Sequence, residues 1–176
     1  TKTGEIFSSV KENNGVYTPK YSVGNLKGAV FEIYAAEDIT TLDGTVRYEQ
    51  GTLVDTVTTD DDGVAKSKEL YLGKYTVIEK TAPNGYVHNT AKYDAELTYA
   101  GQNVSVTSTD LSVYNERQKV SVSLKKVMAE DKTFSIGNNG EITSVRFGVY
   151  ADEDIKASNG DVIPKDALIT LSLIHI

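Results

Sequence analysis

An all-β fold, an antiparallel sandwich or barrel, follows from three features of the sequence. Apolar residues recur with period two in short runs, turn dipeptides separate the runs, and the aromatic set is weighted towards tyrosine. Eleven Tyr stand against four Phe, with no Trp. Thr and Val are abundant and Leu is sparse, which suits half-exposed pleated sheet rather than a helical core.

The runs can be taken in order. Val30, Ile33 and Tyr34 lie in one short apolar stretch. Tyr75-Thr-Val77-Ile-Glu79 alternates, as do Val104-Ser-Val106, Leu111-Ser-Val113-Tyr-Asn115 and Val120-Ser-Val122-Ser-Leu124. Between them sit Asn14-Gly15, Asp43-Gly44, Asp62-Gly63, Asn84-Gly85 and Asn159-Gly160, each a turn signal. No segment carries a helical stripe over three turns, so strands are expected throughout.

Phe31-Glu-Ile-Tyr-Ala-Ala-Glu-Asp-Ile39 returns as Phe147-Gly-Val-Tyr-Ala-Asp-Glu-Asp-Ile155, each followed by one of those turns. Two tandem copies of one domain type account for this. The second copy stops before any counterpart of the Tyr75–Tyr86 region. The expected organisation is therefore a whole domain over 1–118 and a truncated one over 119–170. Leu171-Ser-Leu-Ile-His-Ile176 resembles one reading frame of a transposon-derived sequencing adapter, and residues 171–176 are expected to be a scar outside the fold.

Composition narrows the function classes. The net charge is −7 and basic residues are scattered, so nucleic acid is not an expected partner. No apolar run is long enough for a membrane helix, and no membrane insertion is expected of this segment. The opening residues do not resemble a signal peptide and no Met precedes them, so the chain is expected to begin inside a longer protein. With no Cys there is neither a disulfide nor a thiolate metal site, and a domain working outside the cell would need another source of rigidity.

Three polar residues interrupt apolar strand rhythm. Glu79 shares parity with Tyr75 and Val77, and Asn115 with Leu111 and Val113, so both side chains should face the core. Lys2 lies at a strand end in Thr-Lys-Thr, and Lys126 is in phase with Val120, Val122 and Leu124, which makes it the inward lysine of the second copy. Buried charges are costly unless they pair or neutralise. Desolvation lowers a lysine pKa and raises a glutamate pKa, favouring a neutral amine beside a neutral acid. Such a pair could turn an asparagine side chain into an amide link, with loss of ammonia.

Leu26-Lys-Gly-Ala-Val-Phe-Glu-Ile-Tyr34, Gly73-Lys-Tyr-Thr-Val-Ile-Glu79-x-x-Ala82-Pro83-x-Gly85-Tyr86 and Val113-Tyr-Asn115 resemble the SpaA-like, prealbumin-like domains of Gram-positive pilins and collagen-adhesin B-type stalks. The Glu-x-x-Ala-Pro-x-Gly-Tyr stretch is the most specific part. The resemblance implies a prealbumin-like (immunoglobulin-like) antiparallel sandwich and an isopeptide bond between Lys2 and Asn115, promoted by Glu79. It makes Lys126 the corresponding lysine of the second copy, with its partner missing. It further implies a non-enzymatic stalk module on the extracellular, wall-anchored surface of a Gram-positive bacterium. Its partners would be other domains of the same surface protein or pilin, and host extracellular matrix. The chain departs from the compact family form in the two dozen residues between Lys2 and Leu26.

Plainer readings stand beside these. Asp60-Asp-Asp-Gly63 lacks the spacing and distal Glu of a calcium loop and reads as a turn. His88 and His175 are isolated, so no metal and no cofactor is expected. Glu37-Asp38 and Glu153-Asp154 are adjacent pairs that would face opposite ways on a strand, a poor arrangement for a glycosidase. The main alternative is an adhesive module that grips a host-matrix protein or a carbohydrate through clustered aromatics.

Overall fold

A computed structural model of the chain describes residues 1–126, 129, 132–134 and 146–173. Every regular element among them is a strand. The residues fall into two compact units, Thr1–Glu5 with Val23–Gln118, and Ile6–Ser22 with Lys119–Ile176. Strands β1 (Lys2–Asn13) and β2 (Val16–Asn25) flank a two-residue turn at Asn14-Gly15. Both turn residues have positive φ, 50° and 76°, the conformation that a tight hairpin requires and Asn-Gly adopts readily. The central part of this long pair, 6–22, belongs to the second unit, whereas the sequence reading assigned all of 1–118 to the first. The physical reason lies in the extra residues between Lys2 and Leu26. They carry their own strand pattern and turn, and pack their own rings, with Phe7 and Tyr21 centroids 5.9 Å apart.

In the first unit, β3 (Val30–Ala35), β6 (Leu53–Thr58), β7 (Gly73–Thr81) and β8 (Lys92–Leu97) form an antiparallel sheet in the order β6-β3-β7-β8. β4 (Ile39–Thr40) and β5 (Val46–Tyr48) make a small hairpin, and β9 (Val113–Asn115) pairs in parallel with the start of β1. β3 alternates as its branched and aromatic residues predict. Phe31, Ile33 and Ala35 are buried, while the residues between them are half-exposed. Ile33, Ala35, Ile39, Val54, Tyr75 and Ala95 form one core cluster, and Ala29, Phe31 and Val113 a second. Burying a side chain such as Ile33 or Phe31 contributes about 1.5–3 kcal/mol. Tyr75 is 1% exposed and its hydroxyl donates to Tyr71 O at 2.7 Å, so its one polar atom is not stranded.

The second unit contains β10 (Arg146–Tyr150), β11 (Ile155–Lys156), β12 (Val162–Ile163) and β13 (Leu168–Leu173). These follow the pattern of β3–β6, most closely in the pairing of β10 with β13. Tyr34 pairs with Leu53 and Ile33 with Asp55, with a register shift between the two rungs. Tyr150 pairs with Leu168 and Val149 with Thr170, with the same shift. Ala35 exchanges hydrogen bonds with Thr52 and Gly51, and Ala151 with Ala167 and Asp166. The turn in which Gly44 N donates to Thr41 O recurs as Gly160 N donating to Ala157 O.

Several sequence expectations need correction. Val104–Val106 and Val120–Leu124 are not strands, and Val104, Val106, Val120, Val122 and Leu124 are exposed. Lys126, expected inward, is exposed as well. Alternation buries a face only when a neighbouring strand supplies the ladder and a layer covers it, and among the described residues 120–126 have no ladder partner. Residues 171–173 continue β13 and pair with Gly148, Phe147 and Arg146, instead of lying outside the fold; 174–176 are outside the described residues. Glu37-Asp38 sits in a bend rather than a strand, where Glu37 accepts from Lys74 N and Asp38 from Gln50 N.

Candidate cross-linking site

The first and last strands of the first unit meet in parallel, with Lys2 opposite Val113 and Gly4 opposite Asn115. Residues two apart on a strand share a face, so this register puts the Lys2 and Asn115 side chains on one side of the pair. The backbone of Lys2 is fixed from both directions, its N–H donating to Gly63 O at 2.7 Å and its carbonyl accepting from Leu26 N at 3.0 Å. From the opposite layer, β7 brings Glu79, which pairs with Phe31 and lies on the face of Tyr75. The three residues expected from the sequence, Lys2, Glu79 and Asn115, are thus brought together; Lys126 is not among them.

All three are buried: Lys2 is 0% exposed, Glu79 3% and Asn115 1%. Asn115 Nδ2 donates to both Glu79 carboxyl oxygens, each at 2.9 Å. Lys2 Nζ stands 3.9 Å from Glu79 Oε1 and donates to Val113 O and Thr3 O, each at 3.3 Å. Asn115 Oδ1 is buried without a hydrogen-bond partner. An unsatisfied carbonyl oxygen of this kind costs about 1–3 kcal/mol. It is the oxygen on which charge would develop if a nucleophile attacked Asn115 Cγ. Burial pushes the Lys2 amine below its ordinary value of 10.5, and the Glu79 carboxylate opposes that by attracting the charged form.

Several residues that shape the site escaped the sequence reading. Gly4 lies where the strands touch: a methyl there would meet Asn115 O at 2.6 Å, Leu26 Cδ1 at 2.7 Å and Tyr86 Cε1 at 2.9 Å. Gly63 has φ +67°, and a methyl on it would press on Lys2 O. The Tyr86 hydroxyl donates to Glu5 O at 2.7 Å, which ties the end of the Ala-Pro-x-Gly-Tyr turn to β1. Asn89 N donates to Glu79 Oε2 at 2.7 Å, and His88 Nε2 lies 2.7 Å from Glu79 O. The glycines were visible as turn or strand residues, but what they touch is supplied by segments 20 to more than 100 residues away. Among the described residues no cluster of three or more acidic or histidine side chains could hold a metal, and no helix is long and apolar enough to cross a membrane.

The all-β architecture, with its short antiparallel sheets and a buried lysine on the opening strand, defines a prealbumin-like domain. Residues 18–112 match the SpaA prealbumin-like fold domain family, and the chain belongs to that family. It is 27% identical over 144 residues to the trypsin-resistant surface T6 protein of Streptococcus pyogenes serotype M6, covering 82% of this chain and 22% of that protein. It is 31% identical over 150 residues to the rhizobactin receptor of Rhizobium meliloti, covering 84% of this chain and 19% of the receptor. The chain therefore spans about a fifth of the length of these curated relatives. Among solved structures it is similar to the major pilin subunit of Bacillus cereus, with a TM-score of 0.35 and 22% identity, over 66% of this chain and 29% of that one.

Proposed function

We propose that the first unit is a shaft module of a Gram-positive surface protein or pilin that closes its own Lys2–Asn115 isopeptide bond, with Glu79 as the proton-transferring acid. The observation that carries this reading is the burial of Lys2, Glu79 and Asn115 around one carboxyl group, with Lys2 Nζ 3.9 Å from Glu79 Oε1 and Asn115 Nδ2 held by both oxygens of Glu79. A charged pair in a low-dielectric interior can neutralise itself, Lys2 passing a proton to Glu79. The neutral amine then attacks Asn115 Cγ. Glu79 delivers its proton to Nδ2 as the carbon–nitrogen bond breaks and takes one from the attacking Nζ. The products are a secondary amide and one ammonia, with Glu79 left protonated. The chemistry is ordinary nucleophilic and acid–base catalysis, performed once and on the chain itself, so the module is no enzyme towards outside substrates.

Family membership supports the shaft reading, and the name of the streptococcal relative supports an extracellular surface location. The repeated frame over β10–β13 supports reading 119–170 as a second, partial copy of the same domain type. Neighbouring domains of the same surface protein are then the natural partners, with wall anchoring supplied elsewhere in the protein. Intact mass spectrometry of the folded chain tests the proposal. The expected mass is one ammonia below the sequence mass, with a branched Lys2–Asn115 peptide after digestion. An unmodified mass in a well-folded sample would falsify the cross-link.

A further inference from the structure

Glu79 does not owe its position to Lys2 and Asn115 alone. A carboxyl group turns easily about its last torsion, so a useful orientation has to be imposed by its hydrogen bonds. Two of those bonds come from Asn115, the group to be consumed. The third comes from the backbone N–H of Asn89, at 2.7 Å from Oε2, and it is independent of the reacting groups. The loop that carries this N–H is fastened by the Asn89 side chain. Nδ2 donates to the Tyr93 hydroxyl on β8 at 2.8 Å and to Tyr114 O on β9 at 3.1 Å, and Oδ1 accepts from Ala91 N at 2.9 Å. Both amide hydrogens are thus engaged. One of the acceptors is the carbonyl of the residue directly before Asn115. Just before Asn89 in the chain, Val87 N donates to Glu116 O at 2.8 Å, and His88 Nε2 lies 2.7 Å from Glu79 O.

We propose that Asn89 is the positioning residue of the cross-linking reaction, clamping β8 and β9 so that its backbone N–H fixes the Glu79 carboxyl group against the Asn115 amide. The proposal rests on the isopeptide reading given above. The clamp requires an amide. An aspartate at 89 could accept from Ala91 N but could not donate to Tyr93 and Tyr114. Proton delivery to a leaving nitrogen is sensitive to placement, and a displacement of about 1 Å can cost on the order of 100-fold in rate.

The test follows ammonia loss over time by intact mass as the full chain refolds from denaturant, across a series of pH values. Asn89→Ala should lower the maximal rate by about 10-fold or more. Tyr93→Phe, which keeps the ring and removes one acceptor of the clamp, should lower it by a smaller factor, and it serves if the Ala variant does not fold. In both variants the pH above which the rate declines, which loss of the Lys2–Glu79 proton sets, should stay where it is in the parent chain. A variant that merely loosened the packing would admit water to Lys2 and move that pH up towards the ordinary lysine value, and this outcome would overturn the proposal. So would wild-type rates in both variants. A parent chain that never loses ammonia would overturn the isopeptide reading itself, whereas normal parent kinetics with unaffected variants would remove only the role of Asn89.

Discussion

Ala35 and Ala151 occupy the same place in two copies of one frame. Each is 2% exposed, each lies at the end of a strand with the same register shift, and each precedes an acidic bend and a small hairpin. The copies differ in what surrounds them. β3 is flanked on its other side by β7, which carries Glu79, and the first unit also brings Lys2 and Asn115 together through β1 and β9. Among the described residues of the second unit no strand plays the part of β7, and Lys126 is exposed. The frame is a local object, since its pairings join residues close in sequence. The candidate chemistry is non-local, since it needs three strands that span more than 100 residues. Among the described residues the repeated motif therefore marks a repeated frame, while the three candidate reacting groups are brought together in the first unit.

Removing the reacting groups should separate the two units most strongly. Glu79→Ala and Asn115→Ala should each give a chain of unmodified mass. A cross-link closing a loop of about 110 residues contributes on the order of 4–5 kcal/mol by analogy with disulfides. Differential scanning calorimetry should then show the first unit melting roughly 20 °C lower. A branched peptide that persists in Glu79→Ala would remove the assigned role of Glu79.

Glycine substitutions set the two units against each other directly. Gly4→Ala should cost about 1–3 kcal/mol through overpacking, because one of the atoms in the way is a backbone oxygen that cannot swing aside. It should also slow cross-linking by pushing β1 away from β9. Gly160→Ala, in the second unit, has φ +92° but nothing within 4 Å of the added methyl, so only backbone strain of about 1–2 kcal/mol is expected. Urea titration of the two variants, followed through Tyr fluorescence, compares them; a larger loss for Gly160→Ala would contradict the packing argument.

The pH dependence sharpens the contrast through Lys2. Because burial lowers its pKa, the folded state holds fewer protons than the unfolded state between the depressed value and 10.5. In Asn115→Ala, which cannot cross-link, the stability of the first unit should therefore rise with pH across that window and flatten above it. In the parent chain the reaction uses the one proton that Lys2 passes to Glu79, so the cross-linking rate should fall as the pH rises through the depressed Lys2 value and removes it. Denaturant melts and mass kinetics in a set of buffers would show it, and a rate that keeps rising through that window would contradict proton transfer from Lys2 to Glu79. The smallest effect is expected for Lys126→Ala, within about 0.5 kcal/mol of the parent chain and with the same loss of one ammonia from its own sequence mass, since the side chain is exposed.

Much of the candidate site was legible in the chain. Parity alone put Glu79 and Asn115 on the inward faces of β7 and β9, because the strand period is two and the neighbours Tyr75 and Val113 are large and apolar. The same rule failed at Lys126. Val120, Val122 and Leu124 alternate as cleanly as any run in the chain, yet they are 91%, 76% and 60% exposed. Alternation states which residues would share a face, and only a partner strand decides whether that face is covered. Residues 171–173 show the converse. They looked foreign to the fold, and their backbone groups nevertheless extend an existing ladder, because a ladder bonds main-chain atoms whatever the side chains are.

The sequence by itself determined the all-β class, the turns at Asn14-Gly15 and Asp62-Gly63, the repeat, and the identities of Lys2, Glu79 and Asn115. These depend on periodicity and residue chemistry, which are properties of neighbours along the chain. The tertiary structure alone decided that 6–22 joins the second unit, that β1 runs parallel to β9 and so aligns Lys2 with Asn115, that Gly4 and Gly63 must be small, and that Asn89 reaches Glu79. Each of these is a contact between segments distant in sequence, set by burial and by the satisfaction of backbone hydrogen bonds, and no local pattern encodes which distant segment will supply the partner.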